Sequence, residues 1–134
     1  MATTRRINPI DLNGITYKII GAAYKVHSAL GAGLLERIYE EAMIIQLAEE
    51  GLKVESQVLL PVYYRGRKLN SEFRLDLLVE DEVIVELKSV SEVTDLFSKQ
   101  LLTYLKIADK PLGLLINFNV KSLDEGITRI GNFY

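Results

Sequence analysis

The spacing of apolar residues divides the chain into an α-helical first third and a mainly β remainder. Apolar side chains recur every three or four residues over 10–30 and again over 34–50, which predicts two amphipathic helices. Gly31 and Gly33 interrupt the pattern between these two helices. Residues 1–8 precede the pattern, and we expect them to form a flexible terminal arm.

From residue 54 onward the apolar period falls to two, which is typical of strands. Four strands are predicted, over residues 54–62, 73–79, 83–88 and 112–118. Helical spacing returns over 93–108, and a short final helix is expected over 123–131. The predicted order is therefore α-α-β-β-β-α-β, a mixed four-stranded sheet flanked by helices in one α/β domain spanning 1–134. Because a helix connects the third and fourth strands, we expect those two to be parallel.

Composition excludes several kinds of site. The chain has no cysteine and one histidine, which excludes disulfides, zinc–thiolate sites and multi-histidine metal sites within one chain. A net charge of −2 does not favour attachment to nucleic acid by overall charge, although a local basic patch remains compatible with it. No apolar run is long enough to span a membrane and no signal-like segment opens the chain, so we expect a cytoplasmic location without membrane contact.

Charged residues interrupt two of the predicted strands at interior positions. Asp76 lies within 73–79, and Glu86 and Lys88 lie within 83–88. Strict alternation places Glu86 and Lys88 on one face of their strand. On the strand 73–79, the same alternation places Asp76 on one face and the apolar residues on the opposite face: Phe73, Leu75, Leu77 and Val79. Since charged side chains are seldom buried without partners, these three require an explanation.

Two explanations fit the charged residues. Carboxylate oxygens suit a hard cation such as Mg²⁺, so Asp76 and Glu86, with the backbone carbonyl of Leu87, form a candidate metal site. Lys88 would then reach a substrate phosphate or its attacking water, and the implied chemistry is metal-assisted phosphodiester hydrolysis. In the alternative explanation, Lys88 neutralises one carboxylate in a structural ion pair.

The same residues resemble a known nuclease signature. Asp76 followed by 86–88 (Glu-Leu-Lys) resembles D-x(n)-(D/E)-x-K of the PD-(D/E)XK nuclease superfamily. Gln100 and Tyr104 are similar to the Q-x-x-x-Y motif of its RecB-type members, and 33–39 (GLLERIY) matches the G-x-x-E-x-x-Y motif that names the GxxExxY family. The resemblance implies a restriction-endonuclease-like core and a Mg²⁺-dependent nuclease, with Mn²⁺ as a substitute and DNA rather than RNA as substrate.

The resemblance extends over about residues 15–130, and Leu75 stands where the signature has its proline. It implies that Glu36 is a further metal ligand, although a carboxylate in the first turn of a helix also complements the helix dipole. We therefore expect Asp76, Glu86 and Lys88 to converge on the sheet face that is covered by the helix bearing Glu36.

The resemblance also implies supporting roles for several residues. Gln100 and Tyr104 share a helix face and would orient Lys88, the phosphate or a base; the alternative is an ordinary amphipathic helix. His27 and Tyr39 would support the metal ligands without binding the metal themselves, but both also suit a buried, hydrogen-bonded packing role. Four basic residues are candidates for phosphate contacts, or alternatively form a solvated surface: Arg65, Arg67, Lys68 and Arg74.

The leading interpretation is thus a magnesium-dependent nuclease with nucleic acid as its partner, as a homodimer or within a larger complex. No recognition helix or zinc finger for reading a sequence is evident in the chain. Two alternatives remain open. One is a non-catalytic nucleic-acid- or protein-binding module that retains the nuclease fold, and the other is a structural protein whose acidic site takes no metal.

Overall fold

A computed structural model describes residues 9–133, with side chains from Leu12 onward, and it has an α/β architecture. The terminal arm expected for 1–8 lies outside the described residues. Within them there are three α-helices: α1 (Pro9–Leu30), α2 (Glu36–Glu49) and α3 (Asp95–Ala108). The strands in the same range are β1 (Val54–Tyr64), β2 (Arg67–Val79), β3 (Val83–Lys88), β4 (Leu112–Asn117) and β5 (Ile127–Gly131). No helix among them is long and apolar enough to cross a membrane.

The strands form one mixed sheet in the order β1-β2-β3-β4-β5. β3 and β4 are parallel, as the α3 crossover requires, and the other neighbouring pairs are antiparallel. The predicted class and element order are confirmed up to β4. The sheet has five strands in the described residues, however, and the prediction of four is wrong.

The missed strand is β5, in a segment expected to be helical. Leu123, Ile127 and Ile130 are four and three residues apart, which imitates the spacing of a helix. The structure instead has a single 3₁₀ turn at Leu123–Gly126, after which β5 pairs antiparallel with β4. A Cβ atom at Gly126 would collide with the carbonyl of Asn117, so glycine permits this close approach of the two segments.

Apolar side chains form a core on each side of the sheet. The first core lies under α1 and α2 and includes Ile19, Met43, Leu77, Val85 and Leu114. The second lies under α3 and includes Leu75, Leu78, Ile84, Leu101 and Leu115. Because β3 and β4 are covered on both faces, their sequences are nearly continuous apolar runs. Against such a background any charged side chain is conspicuous.

The side chains of β1 and β2 switch from one face of the sheet to the other part-way along the two strands. On β1, Val54 packs against the first core, whereas Val58 packs against the second. On β2, Leu77 belongs to the first core, but Leu75, two residues away, belongs to the second. Residues two apart on a regular strand share a face, so both strands are irregular at the residue between.

The irregular positions are Gln57 and Asp76, which face each other across the two strands. The register runs unchanged on both sides of them, but these two residues do not pair with each other. Gln57 has a φ of 53°, in the left-handed region. The prediction that Phe73 and Leu75 share a face with Leu77 is therefore wrong, because alternation cannot anticipate this switch. The break occurs at the first carboxylate of the candidate site.

Candidate active site

Two carboxylates bridge β2 and β3 at the point where the backbone ladder ends. The last backbone pair in this direction is Leu77 with Val85. Beyond it, the backbone N–H of Asp76 donates to Oε2 of Glu86 at 2.9 Å, and the backbone N–H of Leu87 donates to Oδ2 of Asp76 at 2.9 Å. Side-chain oxygens thus replace backbone carbonyls as acceptors, and this reciprocal bonding fixes the carboxylates side by side.

Both carboxylates hold their protons more tightly than usual. Glu86 is 8% exposed, and its burial, followed by the charge of Asp76, raises its pKa to about 8. Burial also raises the pKa of Asp76, against a lowering contribution from the hydrogen bond of the Leu87 N–H. In the absence of a cation, the pair therefore binds a proton near neutral pH.

The metal-free protein should lose stability as pH rises from about 4.5 to about 8. The pKa of Glu86 is raised to about 8 in the folded state from 4.5, so across this window the folded protein binds a proton that the unfolded chain has released. One pKa unit corresponds to about 1.4 kcal/mol, so the decline should amount to a few kcal/mol. Urea denaturation in a chelating buffer at several pH values measures it. The Glu86→Gln variant should lack this decline, and parallel pH profiles for the two proteins would contradict the assignment.

Lys88 lies close to the pair without forming an ion pair with it. Its Nζ is 4.5 Å from the ring centroid of Phe97 on α3. Its charge lowers the pKa of Asp76 and of Glu86, but more weakly than burial raises them. Among the described residues the ion pairs are Lys25–Glu50, Arg37–Glu41 and Lys110–Asp81. The contacts therefore do not support the structural ion pair considered from the sequence.

Two further acidic residues approach from α2, at the end of the sheet. Oε2 of Glu36, an exposed residue, accepts a hydrogen bond from the backbone N–H of Ser89 at 3.4 Å. One turn later, Oε1 of Glu40 accepts a hydrogen bond from Nε2 of Gln57 at 2.8 Å. Burial and then the charge of Asp76 raise the pKa of Glu40. Sequence analysis missed Glu40 and Gln57; helical spacing from Glu36 could have indicated the first, but no sequence signal indicates the second.

One expectation about the site geometry is wrong, and another stays a prediction. In the part of the chain that the structure describes, no three acidic or histidine side chains are grouped as a metal-binding cluster, so the role of Glu36 as a further ligand stays a prediction. The covering helix, however, differs from the one expected. Lys88 contacts α3, and Ile84, which shares a strand face with Glu86 and Lys88, belongs to the core under α3. The helix bearing Glu36 contributes from the strand ends instead.

Tyr104 of α3 lies beside the carboxylates, whereas Gln100 is exposed one turn earlier on the same helix. The Tyr104 ring packs on Phe73 with centroids 5.0 Å apart. Burial, followed by the charges of Glu86 and Asp76, raises its pKa. The Gln100 side chain makes no hydrogen bond to another described residue. Of the two residues of the Q-x-x-x-Y motif, the tyrosine therefore lies near the carboxylate pair, whereas the glutamine faces solvent.

Tyr39 organises the connection between α1 and α2. Its hydroxyl donates to the carbonyl of Gly31 at 2.6 Å and accepts from the backbone N–H of Leu34 at 3.1 Å. Its ring, fully buried, stacks on Phe118 with centroids 4.4 Å apart. These contacts support the packing role, and they explain why a glycine-containing turn and a tyrosine occur together in the 33–39 motif.

Replacing Tyr39 by Phe should destabilise the fold by about 1–3 kcal/mol, because it removes both hydrogen bonds to the connecting turn but keeps the ring stack. Chemical denaturation measures the change, with the exposed Tyr17→Phe as matched control. Unchanged stability together with lost activity would instead assign Tyr39 a direct role in the reaction.

His27 is held on the same side of the sheet by the segment that follows β4. Its Nε2 lies 2.9 Å from the carbonyl oxygen of Val120, and its ring centroid is 6.4 Å from that of Phe118. These are the contacts of a satisfied packing histidine. The supporting role at the metal site receives no support from them.

Three of the four predicted phosphate-binding residues lie at the far end of β2 from the carboxylate pair. Arg65, Arg67 and Lys68 are exposed at the turn between β1 and β2, and Lys68 is eight residues from Asp76 along β2. Eight extended residues span at most ~27 Å. Arg74 is also exposed, with its backbone paired to Leu59 on β1, but it is two residues from Asp76. The structure therefore places the basic turn, but not Arg74, at the other end of the strand from the acidic centre.

The carboxylate pair has the donor chemistry of a divalent-metal site. Asp76 and Glu86 each use one oxygen in a backbone hydrogen bond, and Oε1 of Glu86 has no hydrogen-bond donor among the described residues. The backbone of Leu87 lies beside Asp76. Mg²⁺ commonly binds through one or two carboxylates and retains several waters, so a third carboxylate is not required. The residues present therefore fit such an ion.

Comparison with protein families agrees with this geometry. A family model described as the PD-(D/E)XK nuclease superfamily matches residues 13–130, nearly the whole of the described range. The chain belongs to the PD-(D/E)XK nuclease superfamily. Its three helices and five-stranded mixed sheet, counted over 9–133, make a restriction-endonuclease-like fold. Searches of curated proteins and of solved structures gave no significant match. PD-(D/E)XK proteins are generally nucleases that use divalent metal ions, which identifies the class of chemistry for this site.

Proposed function

We propose that this PD-(D/E)XK protein is a metal-dependent nuclease that hydrolyses phosphodiester bonds of DNA. The observation that carries the proposal is the pair of half-buried Asp76 and buried Glu86, which is fixed where the β2–β3 ladder ends and is accompanied by Lys88 without an ion pair. Such a pair is costly to bury in its ionised form unless a cation compensates it. A catalytic metal site would supply this cation. It would also explain why the two carboxylates are present in spite of the free energy that their burial costs.

The proposed ligands are Asp76, Glu86 and the backbone carbonyl of Leu87, with Mg²⁺ as the natural ion and Mn²⁺ as its substitute. When bound, the ion supplies Lewis-acid stabilisation of the charge that develops on the phosphate. Glu36 stands at the edge of this site. Its role as a further ligand stays a prediction, since no three acidic or histidine side chains of the described residues are grouped as a metal-binding cluster.

Lys88 is proposed to position the substrate phosphate and the attacking water. Its ammonium lies on the carboxylate side of the sheet, over the Phe97 ring, where it can donate hydrogen bonds to phosphate oxygens. Tyr104 presents its hydroxyl-bearing ring from α3 to the same centre, and Gln100 is available on the exposed turn before it. These α3 residues would contact the substrate strand.

Gln57 is proposed as a positioning residue for Asp76. Its left-handed backbone lies at the face switch that sets Asp76 apart from the β1 ladder, and its side chain contributes to lowering the pKa of Asp76. Glu40 holds the Gln57 amide from α2. The 33–39 motif further supports assignment to the GxxExxY group of the superfamily, with Gly33 and Tyr39 in structural roles. A homodimer would present two such sites to one duplex.

A cleavage screen tests the proposed function. Single-stranded, duplex, flapped and branched DNA and RNA are incubated with the protein in Mg²⁺, Mn²⁺ or chelator, with Glu86→Gln as the matched inactive control. We expect metal-dependent cleavage of at least one DNA substrate by the parent and none by the variant. Binding of nucleic acid without cleavage of any substrate would replace the proposal with the non-catalytic module, and cleavage that persists in the variant would identify a contaminating nuclease.

A further inference from the structure

The far end of the β1–β2 hairpin is a projecting two-stranded arm. Every residue of 63–72, the arm, is exposed; the register shifts between Pro61 and Tyr63, after which Tyr63 pairs with Lys68 and Tyr64 with Arg67. Arg65 and Gly66 have φ values of 51° and 77°, the two positive values of a type I′ turn. A two-stranded hairpin without a core is marginally stable by itself. An arm that contributes nothing to either core therefore suggests a function outside the fold.

The side chains of the arm suit phosphate groups. It carries one acidic residue, Glu72, within a chain whose net charge is −2. Its basic residues are Arg65, Arg67 and Lys68. Tyr63 and Tyr64 are 61% and 65% exposed, and Tyr64, Arg65 and Arg67 line one surface recess. Arginine, lysine and tyrosine side chains are common donors to phosphate oxygens in protein–DNA complexes.

The distance between the arm and the carboxylate pair can be compared with the length of a DNA duplex. Lys68 and Asp76 lie on the same strand, at most ~27 Å apart along it. Successive base pairs of duplex DNA are ~3.4 Å apart, so this separation corresponds to at most about eight base pairs. One strand, β2, therefore connects the acidic centre to the basic surface.

We propose that the arm binds the backbone of duplex DNA at most about eight base pairs from the phosphate that is cleaved at the Asp76–Glu86 site, and so sets a minimum substrate length. The inference rests on the proposed function and adds the substrate class to it. A two-stranded ribbon fits the major groove of B-DNA, whereas the deep, narrow major groove of duplex RNA does not admit side chains. The arm has a net charge of +2 within a chain whose net charge is −2, which favours contact with phosphates at this end of the molecule.

The test is DNA binding by fluorescence anisotropy in Ca²⁺, an ion that carboxylates bind and that allows a phosphate to approach Asp76 and Glu86, with gel analysis to verify that the probes stay intact. The probes are labelled DNA hairpins with stems from about 6 to about 24 base pairs. The arm variant is Arg65→Asn, Arg67→Thr and Lys68→Thr, in which Asn suits the left-handed turn position and Thr suits a strand. The control removes the same charge from exposed sites outside the arm: Lys18→Gln, Lys53→Gln and Lys106→Gln.

For the parent protein we expect affinity to rise steeply once the stem exceeds about eight base pairs. The arm variant should lose this step, bind the longest stem about 10-fold more weakly, and show a salt dependence reduced by roughly 2–3 in the log–log slope. The control should keep the step and most of the affinity. Thermal unfolding of the arm variant should match the parent, because the exchanged side chains are exposed.

Equal losses in the arm variant and the control, or no loss in either, would overturn the inference. So would tighter binding of single strands that is lost on Tyr63→Ser and Tyr64→Ser, or a change from dimer to monomer in sedimentation with unchanged affinity for DNA. The readout is binding, so the two proposals fail separately. Arm-dependent binding without cleavage would reject the nuclease and keep the arm, and cleavage with arm-independent binding would do the reverse.

Discussion

Replacing Lys88 by Met is expected to slow phosphodiester cleavage at least ~100-fold, the scale of losing one preorganised charge-stabilising group. Met retains most of the volume of the lysine stem but removes the charge that lies over the Phe97 ring. Affinity for Mg²⁺ should stay the same or increase, because a cation near the carboxylates repels a bound metal. Single-turnover cleavage rates and metal titrations on the same preparations separate the two effects.

Two further variants define the role of Lys88. Lys88→Arg should not restore the full rate, since a planar guanidinium does not reproduce the compact ammonium. Lys106→Met, at an exposed position on α3, is the matched control and should cleave at the parental rate. Cleavage by Lys88→Met at the parental rate would mean that the lysine is structural and that the proposed mechanism is wrong.

Glu86→Gln and Asp76→Asn should each abolish cleavage and leave the domain folded. Both replacements keep an oxygen to accept the backbone N–H of the neighbouring strand, so the bridge between β2 and β3 survives. Each removes one of two carboxylates that repel each other without a cation, so the metal-free variant should be at least as stable as the parent at pH 8. Cleavage assays and urea denaturation at pH 8 measure the two properties.

The exposed Glu49→Gln on α2 is the control for these two carboxylate variants, with no expected effect on either measurement. If Glu86→Gln or Asp76→Asn lowered the free energy of unfolding by several kcal/mol, the pair would have a structural role, because removing one partner of a stabilising buried interaction is strongly destabilising.

The fold was predictable wherever one periodicity persisted over a whole element. Helical spacing identified α1 to α3, and the apolar run of β4 indicated a strand covered on both faces. The failures have local physical causes. The spacing of Ile127 and Ile130 is typical of a helix. The segment forms a strand because it hydrogen-bonds to the edge of β4, and a local sequence pattern cannot indicate such a distant partner.

The site was predictable in its residue types but not in its arrangement. Asp76, Glu86 and Lys88 stood out because charge interrupts apolar strands. Their covering helix was assigned wrongly, because a strand pattern does not say which helix covers which face; Ile84, on the same face as Glu86 and Lys88, belongs to the core under α3. The distortion at Gln57 and Asp76, where both strands switch faces, was also missed. That distortion depends on a left-handed backbone conformation at a non-glycine residue, for which the sequence carries no marker.

The most direct test of the central claim is a calorimetric titration of Mn²⁺ into the parent protein and into Glu86→Gln at pH 8. We predict one bound ion per chain for the parent, with release of about half a proton per chain because the pKa of Glu86 is about 8, and no detectable binding for the variant. Absence of binding to the parent, or equal binding to both proteins, would contradict the assignment of Asp76 and Glu86 as the metal-binding centre of a nuclease.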